Sequence, residues 1–147
     1  MTDRTPGTRP SKDESIWQTA RVWAEQSTCP RRRVGAVLTR TGAGGKPYIV
    51  ATAFNGSPPG EPHCTDVGCF IVDGHCKRTV HAEANAVAQA AAHGHPTAGA
   101  VLFTLVKPCY ECQKLLRAAG IDEWRWLEDY EDHSGAPDLT GGKRGQA

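Results

Sequence analysis

Four residues in this chain have the types and spacing to do metal-assisted hydrolysis. His81 and Glu83 stand two apart in TVHAEANAV, at the head of an alanine-rich run, and Cys109 and Cys112 follow in KPCYECQKLL. Two cysteines three apart at a helix start can point both thiols at one spot, and the helix N-terminus and a bound cation each favour the ligating thiolate. With His81 they make three donors and leave one tetrahedral position for water, the layout of a catalytic zinc; a structural zinc is closed by protein donors. Two thiolates and a neutral imidazole cancel the charge of Zn²⁺, so the ion alone acidifies water less than an all-histidine site does. A nearby carboxylate is then needed as proton acceptor, and Glu83 fits that role as a shuttle rather than a ligand.

The other cysteines are Cys29, Cys64, Cys69 and Cys76, three of them inside residues 55–80. That stretch has no clean periodicity, and a connection so long is uncommon in a compact domain unless something orders it. A second, structural zinc held by Cys29, Cys64, Cys69 and Cys76 would supply the order, with His63 or His75 as alternatives to one of the thiols. Arg32, Arg33, Lys77 and Arg78 lie beside these ligands in sequence and can offset the charge of four thiolates. The alternative is free cysteines. The RRR run at 31–33 reads equally as a phosphate-binding element or a solvated surface. His93 and His95 flank Gly94 as an ordinary helix end.

Elements must position these groups. Residues 1–12 are polar and rich in Pro, Gly and Thr, a mobile tail. Ile16, Ala20, Trp23 and Ala24 recur at helical spacing, with Asp13 as the expected N-cap. RVGAVLTR and PYIVATAFNG read as two strands joined by the TGAGGK turn. A second helix is expected over Val80–His93, ended by Gly94 and Pro96. GAVLFTLV reads as a buried strand, Cys109–Ala119 as a third helix, and EWRWLE as a fourth strand. Alternating strands and helices point to an α/β architecture with a partly parallel sheet. The segment after Asp132 reads as a flexible tail over 134–147, leaving 13–133 as one domain.

A length of 147 residues suits one domain with a real core, and 39% hydrophobic with 22% charged residues is ordinary for a globular protein. A formal charge of +1 gives no global pull toward nucleic acid or an anionic membrane. No stretch has the length of a membrane span, and no signal-peptide core precedes the first helix. A C-x-x-C, six histidines and no export signal favour metal binding in a reducing cytoplasm over disulfides.

HAE with PCYEC matches the H-x-E…P-C-x-x-C signature of zinc-dependent nucleoside and nucleotide deaminases. RRRVGAVLTR, AFNGSPPG, HCTDVGC, HCKRTVHAEANA and EDYEDH make residues 15–133 resemble deoxycytidylate deaminases, including the short bacterial competence-operon type. The resemblance implies a three-layer cytidine deaminase-like fold, a mixed central sheet with helices on both faces. It implies hydrolysis of dCMP to dUMP and ammonia, supplying dUMP for thymidylate synthesis. Glu83 would take a proton from the metal's water, protonate N3 of the base and carry a proton to the leaving amine. Pro108 would fix the approach to Cys109, Asn55 would contact the sugar, and Tyr130 would line the nucleotide pocket. Relatives with cysteines at the Cys29, Cys64, Cys69 and Cys76 positions carry a structural zinc.

Lys107 and Leu105 differ from the residues usual at these places in the resembled enzymes, and both are expected beside the base pocket. Ala90, Ala91 and Ala92 replace an often basic position, which counts against dCTP or dTTP regulation. Exposed apolar strands and Trp17 or Trp23 suggest a homo-oligomer. Rival readings are a deaminase of another cytosine nucleotide or nucleoside, a tRNA adenosine deaminase, and a non-catalytic zinc-stabilised binding protein. The near-neutral charge argues against tRNA, and Glu83 argues against the last.

Overall fold

The computed structural model describes residues 5–146, so the first residues of the expected tail lie outside it. Helix α1 spans Lys12–Ala24 and is capped by Ser11, not Asp13: the Ser11 hydroxyl accepts the Glu14 N–H at 3.1 Å, and Glu14 Oε2 accepts the Ser11 N–H at 2.6 Å. This reciprocal capping box satisfies two orphan donors at once. Asp13 instead pairs with Arg125 of the sheet at 3.0 Å.

Strand β1 (Gly35–Thr41) runs antiparallel to β2 (Pro47–Phe54), joined by a short 3-10 turn at Ala43–Gly45. Gly35 is required by packing, because a Cβ there would overlap the Ala20 carbonyl of α1. The 55–80 connection folds as helix α2 (Cys64–Val67) and a small hairpin of β3 (Ile71–Val72) and β4 (His75–Cys76). Then follow α3 (Ala82–Ala92), β5 (Val101–Val106), α4 (Tyr110–Ala118) and β6 (Glu123–Glu128).

The expected fourth strand is not the last. Residues Gly142–Arg144, inside the segment read as a flexible tail, form β7 and pair parallel with β6. A GGKRG stretch carries no strand signal by residue type. It fits because a Cβ at Gly142 would collide with the Trp124 and Trp126 rings and one at Gly145 with Trp17. The sheet order is β2-β1-β5-β6-β7, antiparallel on the β2 side and parallel from β5 onward.

Helices cover both faces. On one, Ile16, Trp17 and Ala20 of α1 pack on Val37 and Phe103, with Trp17 edge-on to Phe103 at 5.1 Å. On the other, Ala82, Ala86 and Ala90 of α3 and Leu116 of α4 pack on Ala36, Leu38 and Leu102. The alanine stripe lets α3 approach the sheet closely, which brings its N-terminus over the ends of β5 and α4. Trp17 is a core residue here, 1% exposed, and so belongs to no assembly face; Trp23 is 38% exposed and stacks on Phe54. No helix among the described residues is long and apolar enough to cross a membrane.

Candidate active site

His81 is the N-cap of α3 and Cys109 the N-cap of α4, both with extended backbone, while Cys112 sits in the first turn of α4. Each expected helix therefore begins slightly later than its sequence pattern, which leaves His81 and Cys109 outside the helical register and Cys112 within it. Nδ1 of His81 lies 3.4 Å from Cys112 Sγ and 3.7 Å from Cys109 Sγ. A tetrahedral zinc with bonds of about 2.0 Å to N and about 2.3 Å to S holds such donors about 3.6 Å apart, which both histidine–cysteine separations match, and all three donor atoms lie within 4.8 Å of one another. The Cys109 thiol is drawn down to about 4, first by the hydrogen bond from Cys112 and, against its own burial, by His81. The same contact pushes Cys112 up, so the pair holds one thiolate by itself.

Glu83 is in the first turn of α3 and 5% exposed. Its Oε1 accepts the hydroxyl of Thr104 at 2.8 Å. Burial raises the carboxyl above its ordinary value, with the Thr104 bond working against the rise. A carboxyl raised by burial holds a proton more readily than an exposed one, which suits it to proton exchange. Residue type alone gave no sign of Thr104, because it meets Glu83 only through the pairing of separate elements.

Both groups open on a cavity of about 570 Å³, also lined by Arg31, Arg32, Asn55, Lys107 and Tyr130. Asn55 is anchored: Oδ1 accepts the Val34 N–H and Nδ2 donates to the Arg32 carbonyl, each at 2.8 Å. One Nδ2 hydrogen is left over from these two bonds. The Arg32 guanidinium sits 5.5 Å over the Tyr130 ring and reaches Glu128 at 3.2 Å. The arginine run is divided, since Arg33 turns away to Glu25 at 2.9 Å. Pro108 is buried, and its carbonyl accepts Gln113 Nε2 at 3.0 Å. Gln113 also binds Asp138 Oδ1 at 3.0 Å and the Leu139 N–H at 2.8 Å. Asp138 Oδ2 in turn holds Lys107 at 2.6 Å. Leu105 packs into the hydrophobic clusters rather than the cavity.

Cys64, Cys69 and Cys76 form a second trio with sulfurs within 4.8 Å of one another; Cys64 and Cys76 are 3.6 Å apart. All six cysteines are free thiols. Burial pushes Cys64 up to about 12, while at Cys76 the backbone N–H bonds of the 70–79 region overcome burial and bring it to about 6. Cys29 is buried, but it is not within the trio's spacing. The Thr65 N–H bonds the Thr28 carbonyl at 3.2 Å, tying α2 beside it. His63 lies 3.8 Å from Asp66 and His75 lines the main cavity; neither belongs to the trio. Arg78 stays at this loop through the Gly68 carbonyl, whereas Arg33, paired with Glu25, does not.

The profile of the cytidine and deoxycytidylate deaminase zinc-binding region matches residues 10–128. ComE operon protein 2 of Bacillus subtilis is 42% identical over 79% of this chain, which spans 59% of that protein's length. The deoxycytidylate deaminase of Mycobacterium phage D29 is 31% identical over 78% of this chain and 92% of its own. The crystal structure of the cyanophage S-TIM5 dCMP deaminase in complex with dCMP and dUMP is 30% identical, with a TM-score of 0.70 over 84% of this chain and 85% of that one. The matched span contains both helix N-termini and the His81, Glu83, Cys109 and Cys112 constellation, and the chain belongs to the cytidine and deoxycytidylate deaminase zinc-binding family.

Proposed function

We propose that this chain hydrolyses dCMP to dUMP and ammonia. The observation that carries the reading is a buried carboxylate, Glu83, beside three converging metal donors at the floor of a nucleotide-sized cavity. A relative of the same fold holds dCMP and dUMP. His81, Cys109 and Cys112 would hold the zinc, which supplies Lewis acidity that lowers the pKa of water at the site. Glu83 accepts the proton that water gives up and delivers it to N3 of the cytosine ring. It then takes the proton left on the hydroxyl added at C4 and passes it to the amine there, so that water's oxygen remains as the C4 carbonyl and ammonia leaves. Burial of Glu83 keeps competing water away from the carboxylate during both transfers.

Asn55 contacts the sugar through its remaining Nδ2 hydrogen, and Tyr130 forms the wall beside it. Cys64, Cys69 and Cys76 hold a structural zinc, with buried Cys29 as the fourth donor. Val22, Tyr48 and Ile49 are exposed, as Trp23 is in part, and these apolar side chains support a homo-oligomer. Ammonia release is to be assayed with the zinc-loaded protein on dCMP, dCTP, deoxycytidine, cytidine and adenosine. Preference for dCMP supports the reading; activity confined to an unphosphorylated nucleoside, or none, contradicts it.

A further inference from the structure

Thr104 is fully buried at the centre of the sheet, paired with Ala36 of β1 and Trp126 of β6. A hydroxyl in such a place costs free energy unless it is bonded. Its bond goes to Glu83 Oε1 at 2.8 Å, while the Val106 carbonyl is farther, at 3.3 Å. A hydroxyl has a single hydrogen, so it serves one acceptor well, and a carboxylate is the stronger acceptor. Threonine is stiff at χ1, and the central strand holds its backbone on both sides. The donor is thus fixed to the sheet, whereas Glu83 hangs from the first turn of α3.

We propose that Thr104 is the positioning residue for Glu83: by occupying Oε1 it orients the carboxylate and leaves proton exchange with the substrate to Oε2. The inference rests on the proton-transfer role of Glu83 given above. The proton released by water goes onto Oε2 and leaves from Oε2 to the base. Oε1 keeps its bond to Thr104 throughout, since the carbonyl oxygen of a neutral carboxyl group is still an acceptor. The carboxyl group therefore need not rotate between its two transfers. A polar group of modest strength placed on a rigid strand is enough, because a displacement of about 1 Å at a reacting group can cost about 100-fold in rate.

Thr104→Val removes the hydroxyl and keeps the shape; Thr104→Ser restores the hydroxyl. In Thr104→Val, kcat for dCMP is expected to fall about 10- to 100-fold with KM changed less than about twofold, and Thr104→Ser to stay within about threefold of the parent. Zinc content is expected to be equal in all three. Infrared difference spectra, parent minus Glu83→Gln in each Thr104 background, isolate the Glu83 carboxylate band. That band is expected to move in Thr104→Val and to hold its place in Thr104→Ser. The spectrum reads the bond independently of substrate, so a parent that leaves dCMP untouched counts against the function and not against the bond. An unmoved band, an unchanged kcat in Thr104→Val, or an equal loss in Thr104→Ser overturns the inference.

Discussion

Asp132 accepts the backbone N–H of Tyr110 at 2.7 Å, across from the helix whose N-cap, Cys109, makes no capping bond of its own. A carboxylate from outside α4 thereby satisfies one of its orphan donors and meets the positive end of its dipole. Ser134 and the Tyr110 N–H hold the Asp132 carboxyl at about 2. Because this value lies below that of an unfolded carboxyl, about 3.9, the stabilisation is complete above that pH and fades as pH falls toward 2.

Replacing Asp132 with Ala is expected to cost about 1 kcal/mol at pH 7, the usual worth of an N-terminal cap. Urea midpoints of parent and variant at pH 7 and pH 2.5 check both statements. The gap between the two proteins should narrow at the acid end, and a gap that widens would place the stabilising bond elsewhere.

Gln113 is 2% exposed and joins Pro108, Asp138 and Leu139. Gln113→Leu leaves the Pro108 carbonyl and the Leu139 N–H without this partner and Asp138 with Lys107 alone, and the loss is expected to be about 2–3 kcal/mol by denaturation. Since the same side chain braces the turn that carries Cys109, zinc should also be lost to a chelator faster than from the parent. Equal zinc retention would show that the turn stands without it.

The second trio predicts the metal stoichiometry. Purified protein should hold about two zinc ions per chain, and Cys64→Ser about one, by elemental analysis. Thermal stability of Cys64→Ser should fall with the lost ion, because binding at such a site contributes folding free energy. One ion in both proteins removes the structural site and leaves the first untouched.

Much of the site was legible because its residues are local in sequence. His81 with Glu83, and Cys109 with Cys112, each occupy one turn at a helix start, so spacing alone brings them near one another. What escaped was carried between elements. Thr104 meets Glu83 only once β5 lies under α3, and Asp132 and Asp138 reach α4 and Lys107 from a segment with no periodic pattern. Strand β7 was illegible because Gly142 within it and Gly145 just after it are selected by three tryptophan rings, not by strand propensity. Ser11 displaced Asp13 as the cap because Glu14 falls three residues after Ser11 and closes the reciprocal box. The arginine run was ambiguous for a like reason: two of its members face the cavity and the third an acidic residue of the helix end, a division that only the packed loop decides.

The most direct measurement is single-turnover conversion of dCMP to dUMP by zinc-loaded parent and Glu83→Gln proteins, with zinc content and melting temperature determined on the same samples. The account predicts equal zinc, an intact fold and at least about a 100-fold slower conversion in the variant, as expected for loss of a general acid–base group. Conversion at the parent rate in Glu83→Gln would contradict it.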